Sequence, residues 1–468
     1  MLDAGLLAPS FARALSYLTG HSDMERGDRL PSELNLDRTR FLLDALGRPD
    51  QRYPSILIAG TKGKGSTAAM IERGLRAAGY RTGLYTQPHL HTIRERVRLD
   101  GTPIEPEDFA EGLEHLRGIA ESGGPSAGRF TAYELMTTMA LERFARHDID
   151  LAVIEVGLGG RLDATNAIDA TVSVLTSISL DHTQILGHTL GAIAREKADI
   201  IKVGRPCVSA PQHLEAMEVI SGMAATRAAP LLVAGRNGAR WEQTPIGGWD
   251  LLVEENRLTQ LHPSLKGGFQ RINSAVAATA LTAFANEASL RFDHGALRVA
   301  VEQTEWAGRF ETASTAPPTV LDGAHNVESV QRLREALAEE YPGLQPIYVI
   351  GVPSDKDVAG IIHTLCAPAV SGAFGAAVAP PPTMVICTAA RHPRATSPQA
   401  LAALVGTAGI RALVVPDVFP ALEAAARQFQ PGNVIVATGS LHVVAEAREG
   451  LGLAEPSGED AFNPWAAR

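Results

Sequence analysis

Short apolar runs alternate with longer amphipathic stretches along this chain, the rhythm of a mostly parallel sheet covered by helices. In the first half, Ile56–Ala59, Leu151–Val156 and Thr171–Ile178 predict buried strands. Each gives way to polar or glycine-rich residues, and α/β proteins place ligands at such strand ends. Residues 239–268 break the rhythm: Trp241, Gly247-Gly248-Trp249 and alternating apolar positions predict a small β-rich insert with hairpins. An alanine-rich stretch from Asn273 to Asn286 predicts a helix. Pro317-Pro318 interrupts any helix or sheet and marks a boundary. Beyond it, Val320-Leu321, Ile347–Ile350, Thr383–Cys387, Ala412–Val415 and Val434–Ala437 predict a smaller, doubly wound, Rossmann-like domain. The expected division is residues 1–313 and 314–468. SGAFGAAVAPPPT (371–383) reads as a flexible loop, and the tail from Ala454 reads as frayed.

Composition narrows the function without deciding it. At 468 residues, with 20% charged and 45% hydrophobic residues, the chain has the make-up of a soluble globular protein of two or more domains. A net charge of −10 argues against nucleic-acid and anionic-membrane partners, so an anionic substrate needs a local basic site. No basic-plus-apolar leader and no membrane-length apolar run is visible. Cys207, Cys366 and Cys387 form no metal-type pair, which fits a reducing cytoplasm.

The chemistry concentrates at strand ends. AGTKGKGST (59–67) follows an apolar run and opens a helix, the context of a phosphate loop: glycine-turn N–H groups and a helix N-terminus cradle an anion, and a lysine reaches it. The general pattern G-x-x-x-x-G-K-[ST] nevertheless fails here, because Gly65 follows Lys64. In VIEVGLGGRLDATN (153–166), Glu155 ends a buried strand, a costly place for a charge unless it is paired or metal-bound. It reads equally as a Mg²⁺ ligand or as the ion-pair partner of Arg161. Asp181 and His182 follow the next strand, and Lys197 lies on a predicted helix between Glu196 and Asp199. AGRF (307–310), VLDGAHN (320–326) and GVPSDKD (351–357) hold Arg309, Asp322 and His325 in the same kind of position.

Together these stretches resemble the folylpolyglutamate synthase and dihydrofolate synthase family of the Mur-ligase superfamily. The family's G-T-N-G-K-G-S matches Gly60 to Ser66 except for Lys62 in the asparagine place, and its S-P-H-L…R-E-R appears as QPHLHTIRERV from Gln87 to Val97. EVGLGGRLDATN, SLDHTQILGHTLGAIAREKADIIK (179–202), WAGRFE (306–311), LDGAHN, GVPSDKD and ATGSLHVVAE follow in the family's order, from about residue 40 to residue 446. The resemblance implies a P-loop-containing central ligase domain of Mur type with the β-rich insert, then the Rossmann-like domain, acting as a monomer. It implies ATP activation of a carboxylate as an acyl phosphate, which the amine of L-glutamate attacks; the acceptors are dihydropteroate, folates or, in a bifunctional enzyme, both. ATP and glutamate are expected in the cleft between the domains.

By the same resemblance, Gly60, Thr61, Gly63, Lys64, Gly65, Ser66 and Thr67 bind the nucleotide, with Arg309, Asp322 and His325 contributing from the second domain. Glu155, His182, Ser66 and Gln87 are expected at Mg²⁺, with two metal sites, and Lys197 is expected there as a carbamate. Lys64, His182, Lys197 and Asp322 are the expected catalytic set. Gln87 departs from the family's serine, and its longer side chain changes the geometry toward Mg²⁺. The alternative is a Mur-type ligase for a cell-wall precursor, but those enzymes usually carry a UDP-binding domain before the loop, for which the chain ahead of Gly60 is too short. Lys64→Ala should abolish ADP release and Lys62→Asn should leave much of it; the reverse result would show the loop register to be wrong.

Overall fold

The computed structural model describes residues 9–22, 35–122, 130–244, 248–369 and 377–455. Gly247, the 371–376 part of the expected 371–383 loop and the tail beyond residue 455 lie outside the described residues. The chain divides into two compact units. The first comprises 1–89, 93–264 and 271–305; the second comprises 90–92, 265–270 and 306–468.

The first unit is built on eight strands: β1 (Ser55–Ala59), β2 (Thr82–Tyr85), β3 (Val97–Leu99), β4 (Thr102–Pro103), β5 (Leu151–Glu155), β6 (Val172–Leu175), β7 (Cys207–Ser209) and β8 (Leu231–Val233). They lie in the order β4-β3-β2-β5-β1-β6-β7-β8. All but β3 and β4 run parallel, as the uninterrupted apolar runs predict: β1 and β5 are buried at every position, because helices cover both faces. β5 and β6 flank β1, with Ile58 opposite Glu155 and Ala59 opposite Leu175. The chain after β1 thus emerges between two strand ends, where doubly wound sheets open a crevice. None of the expected strands corresponds to β2, β7 or β8, which are three or four residues long.

The β-rich insert is a separate antiparallel sheet of β9 (Arg240–Gln243), β10 (Trp249–Val253) and β11 (Asn256–Leu261). Trp241 packs edge-to-face on Trp249, and its indole N–H donates to the Arg271 carbonyl at 2.8 Å. The Arg271 guanidinium lies over the Trp249 ring. The alanine-rich helix spans Gly268–Glu287.

The second unit holds β12 (Glu311–Thr315), β13 (Pro318–Leu321), β14 (Gln345–Ile350), β15 (Met384–Cys387), β16 (Ala412–Val414) and β17 (Asn433–Thr438), in the order β12-β13-β17-β14-β15-β16. Successive residues face opposite cores: Tyr348, Ile350, Val385 and Val436 enter one, and Ile347, Val349, Ile386 and Ile435 the other. This is the doubly wound arrangement. Pro317-Pro318 does not interrupt the sheet, however. The pair turns the β12–β13 hairpin, and Pro318 is the first residue of β13, ahead of the β13–β17 ladder, which begins at Thr319. A proline is tolerated there because no ladder N–H is required of it. Among the described residues, no helix is long and apolar enough to cross a membrane.

Candidate functional site

The loop after β1 owes its course to two glycines. Gly60 has φ +150°, and a Cβ there would lie 1.9 Å from the Thr176 hydroxyl oxygen. Gly63 has φ +91°, and its Cβ would meet the Asn273 side-chain oxygen at 2.3 Å. Without side chains at these points, the backbone packs directly on the end of β6 and on the alanine-rich helix. Thr61 and Lys62 donate backbone N–H groups to the Ser177 carbonyl at 2.9 and 3.2 Å. The Thr61 hydroxyl exchanges hydrogen bonds with the Ser179 backbone at 3.1 Å in both directions. Gly63 then caps the helix Lys64–Ala77 and offers no side chain to its first N–H groups, the arrangement of an anion cradle.

Lys64 and Glu155 approach to 3.8 Å, with the carboxylate almost fully buried. Glu155 Oε2 also accepts the Gln87 backbone N–H at 3.1 Å. Arg161 turns away to Glu196 at 3.0 Å, so the alternative Glu155–Arg161 pair does not form. Lys197, on the helix Leu190–Ala198, donates to the Gly60 carbonyl at 2.9 Å. Its burial, followed by the charge of Lys64, pulls the amine down to about 7.

Lys62 reaches Asp181, with Nζ 2.7 Å from Oδ2. Burial pushes the Asp181 carboxyl up, but the Lys62 ammonium outweighs it and holds the group at about 2. His182 follows in the left-handed region, φ 48°, with its imidazole half exposed. Gln87 presents its side-chain oxygen to Arg96 Nη1 at 3.3 Å, while its buried Nε2 has no hydrogen-bond partner. Ser66 and Thr67 are buried in the first turn of the loop helix.

Glu155, Ser66 and the adjoining phosphate cradle form a hard-oxygen set that suits Mg²⁺, a cation that keeps several waters and takes few protein ligands. Among the described residues no three His, Cys, Asp or Glu side chains form a metal cluster on their own. A cation here would therefore be completed by phosphate oxygens and water.

In the second unit, Asp322 follows β13 and is buried, which raises its carboxyl, with Arg309 opposing. Its two oxygens accept the N–H groups of Phe310 at 2.8 Å and Ala324 at 2.9 Å. His325 Nδ1–H donates to the Gly323 carbonyl at 2.8 Å. Arg309, Asp322 and His325 thus gather around one hairpin and turn.

Residues 58–281 match the family model of the Mur ligase middle domain, and residues 308–441 match that of the Mur ligase glutamate ligase domain. The dihydrofolate synthase/folylpolyglutamate synthase of Bacillus subtilis is 35% identical over 335 residues, 70% of this chain and 78% of that protein. The chain belongs to the folylpolyglutamate synthase/dihydrofolate synthase family of Mur ligases. A Mycobacterium tuberculosis folylpolyglutamate synthase complexed with ADP and AMPPCP superimposes with a TM-score of 0.81 at 30% identity, covering 96% of this chain and 99% of that one. A bifunctional folylpolyglutamate synthase/dihydrofolate synthase from Yersinia pestis, complexed with AMPPNP and a Mn ion, gives a TM-score of 0.79 at 30% identity, covering 94% and 98%.

Three supports of this folylpolyglutamate synthase-type site escaped the sequence reading. Asp163 is fully buried and accepts from Tyr133 Oη at 2.9 Å, from the N–H groups of Gly157 and Leu158, and from Thr165, so it braces the turn after Glu155. The motif EVGLGGRLDATN contains Asp163 and could have revealed it. Tyr133 and Asn273 come from distant helices and left no local signal. Gly60→Ala should lower unfolding stability in urea by roughly 2–4 kcal/mol, because the methyl meets Thr176 and the backbone lies where only glycine is at ease. Thr176→Ala in the same chain should restore part of that loss; an unchanged midpoint for Gly60→Ala alone would show the loop does not approach β6 this closely.

Proposed function

We propose that this chain is an ATP-dependent ligase that joins L-glutamate to dihydropteroate and to the γ-carboxylate of folates. The observation that carries the reading is the convergence of the Gly60–Thr67 cradle, Lys64, Glu155 and Lys197 at adjacent strand ends, in a chain with this family's two domains. A carboxylate oxygen of the acceptor attacks the γ-phosphorus of ATP, the bond to the bridging oxygen breaks, and ADP leaves. The glutamate amine then attacks the acyl carbon, loses a proton, and phosphate departs. Lys64 and the helix N-terminus offset charge on the phosphate oxygens as it shifts in the first step. Glu155, Ser66 and His182 are assigned to Mg²⁺, which when bound draws charge from the phosphates; two such sites are expected. Arg309, Asp322 and His325 are assigned to the nucleotide, with Asp322 holding the Arg309 hairpin in shape through Phe310.

Lys197 is assigned the carbamate. Carbon dioxide reacts with a neutral amine, and an amine depressed to about 7 is substantially neutral in that range. The unfolded chain keeps this proton up to its ordinary value of 10.5, so folding stability should rise with pH between those two values.

ADP release should require glutamate together with dihydropteroate, and should also occur with glutamate and tetrahydrofolate. Activity with only one acceptor removes the bifunctional claim, and dependence on a UDP-linked sugar removes the folate reading. With ¹³C-bicarbonate, the wild-type chain should give a carbamate carbon signal that grows as pH rises through about 7 and is missing in Lys197→Ala. No signal at any pH would leave Lys197 as an amine.

A further inference from the structure

Lys62 departs from the family's asparagine, and three contacts show what the lysine does here. Its Nζ sits 2.7 Å from Asp181 Oδ2. The other carboxylate oxygen, Oδ1, accepts the His182 backbone N–H at 3.0 Å. The His182 carbonyl in turn accepts the N–H groups of Ile185 and Leu186, both at 2.9 Å, so the histidine backbone is held on each side. This matters because His182 lies at φ 48°, a conformation that a non-glycine residue keeps only when its surroundings impose it. Lys62 and Ser177 also form an antiparallel backbone bridge, so the ion pair extends a junction already made by the main chain.

From this geometry we infer that Lys62 is a positioning residue for His182: the phosphate loop sets the histidine turn through Asp181. The inference rests on the nucleotide- and metal-binding reading of the first unit, and it sharpens the role of one residue in it. Both oxygens of Asp181 are engaged, so its carboxylate serves as a connector. The Lys62 charge is matched by Asp181 at 2.7 Å, so it adds little net positive charge to the phosphate cradle. An asparagine at position 62 is shorter and neutral, and it would leave Asp181 without its cation.

The test is a double-mutant cycle of Lys62→Asn, Asp181→Asn and the pair, with Lys62→Arg as the conservative replacement. Mn²⁺ is titrated by electron paramagnetic resonance in the presence of ADP, and the His182 ring signal, assigned with His182→Gln, is followed by NMR without metal. Each single change should weaken Mn²⁺ binding roughly three- to tenfold, and the double change should be no worse than the poorer single, since one partner alone cannot make the contact. Lys62→Asn should shift the His182 signal and Lys62→Arg should restore it, while KM for ATP and ADP release at saturating metal change little; in Asp181→Asn the ring signal also registers the loss of a carboxylate 4.0 Å from the imidazole. Multiplying effects, or a raised KM for ATP with the His182 signal unmoved, would instead make Lys62 a phosphate contact and overturn the inference. An unfolded Asp181→Asn would show in the thermal melt, and the Lys62→Asn and Lys62→Arg comparison then decides alone. Because no folate enters these binding measurements, failure of the acceptor assignment leaves their outcome intact, whereas a wild-type chain that binds no Mn²⁺ with ADP refutes both the metal reading and this one.

Discussion

With no Cβ at Gly60, the backbone leaving β1 passes so close to Thr176 that a methyl group would lie 1.9 Å from its hydroxyl oxygen. That approach lets Thr61 and Lys62 bond to Ser177 and lets Thr61 bond to Ser179, which joins the phosphate loop to the chain leading to His182. It also leaves the Gly60 carbonyl pointing to Lys197, so a third element is fastened at the same spot. Loop, histidine turn and lysine helix are therefore joined by hydrogen bonds around the end of β1.

Electrostatics explains how so many charges share a partly buried corner. Lys62 is matched by Asp181, and Lys64 is accompanied by Glu155. Lys197 is buried, which lowers its amine to about 7, and it donates to the Gly60 carbonyl. The corner is thus close to neutral, which limits the penalty of burying ions. In the second unit Asp322 plays the opposite part: a single buried carboxylate spends both oxygens on backbone N–H groups, and so shapes the hairpin that carries Arg309.

Much of this was legible in the amino-acid order. Continuous apolar runs marked β1, β5, β6 and β13 to β17 because parallel strands covered by helices are largely apolar, whereas the antiparallel β12, with sequence ETAST, was not expected. The phosphate loop, Glu155, Lys197 and the turn at Asp322 could be named from motif strings that place them after strands. The short strands β2, β7 and β8 could not, because Thr82-Gly83 interrupt any apolar run at β2 and Pro206 and Pro230 stand directly ahead of β7 and β8. Pro317-Pro318 misled for a related reason. A proline pair reads as a break, and only the hairpin register shows that the ladder asks nothing of it.

The local order of residues by itself determined the α/β architecture, the phosphate loop and the identity of the chemical groups, because strand burial, glycine turns and charge placement are properties of short segments. Only the tertiary structure decided which of those groups meet. Glu155 takes Lys64 rather than Arg161, and Lys62 takes Asp181 across 119 positions of sequence. Tyr133 reaches Asp163, and Asn273 packs against Gly63. Pairings of this kind depend on the order of strands in the sheet and on the packing of helices from distant segments, and no local pattern encodes that distance.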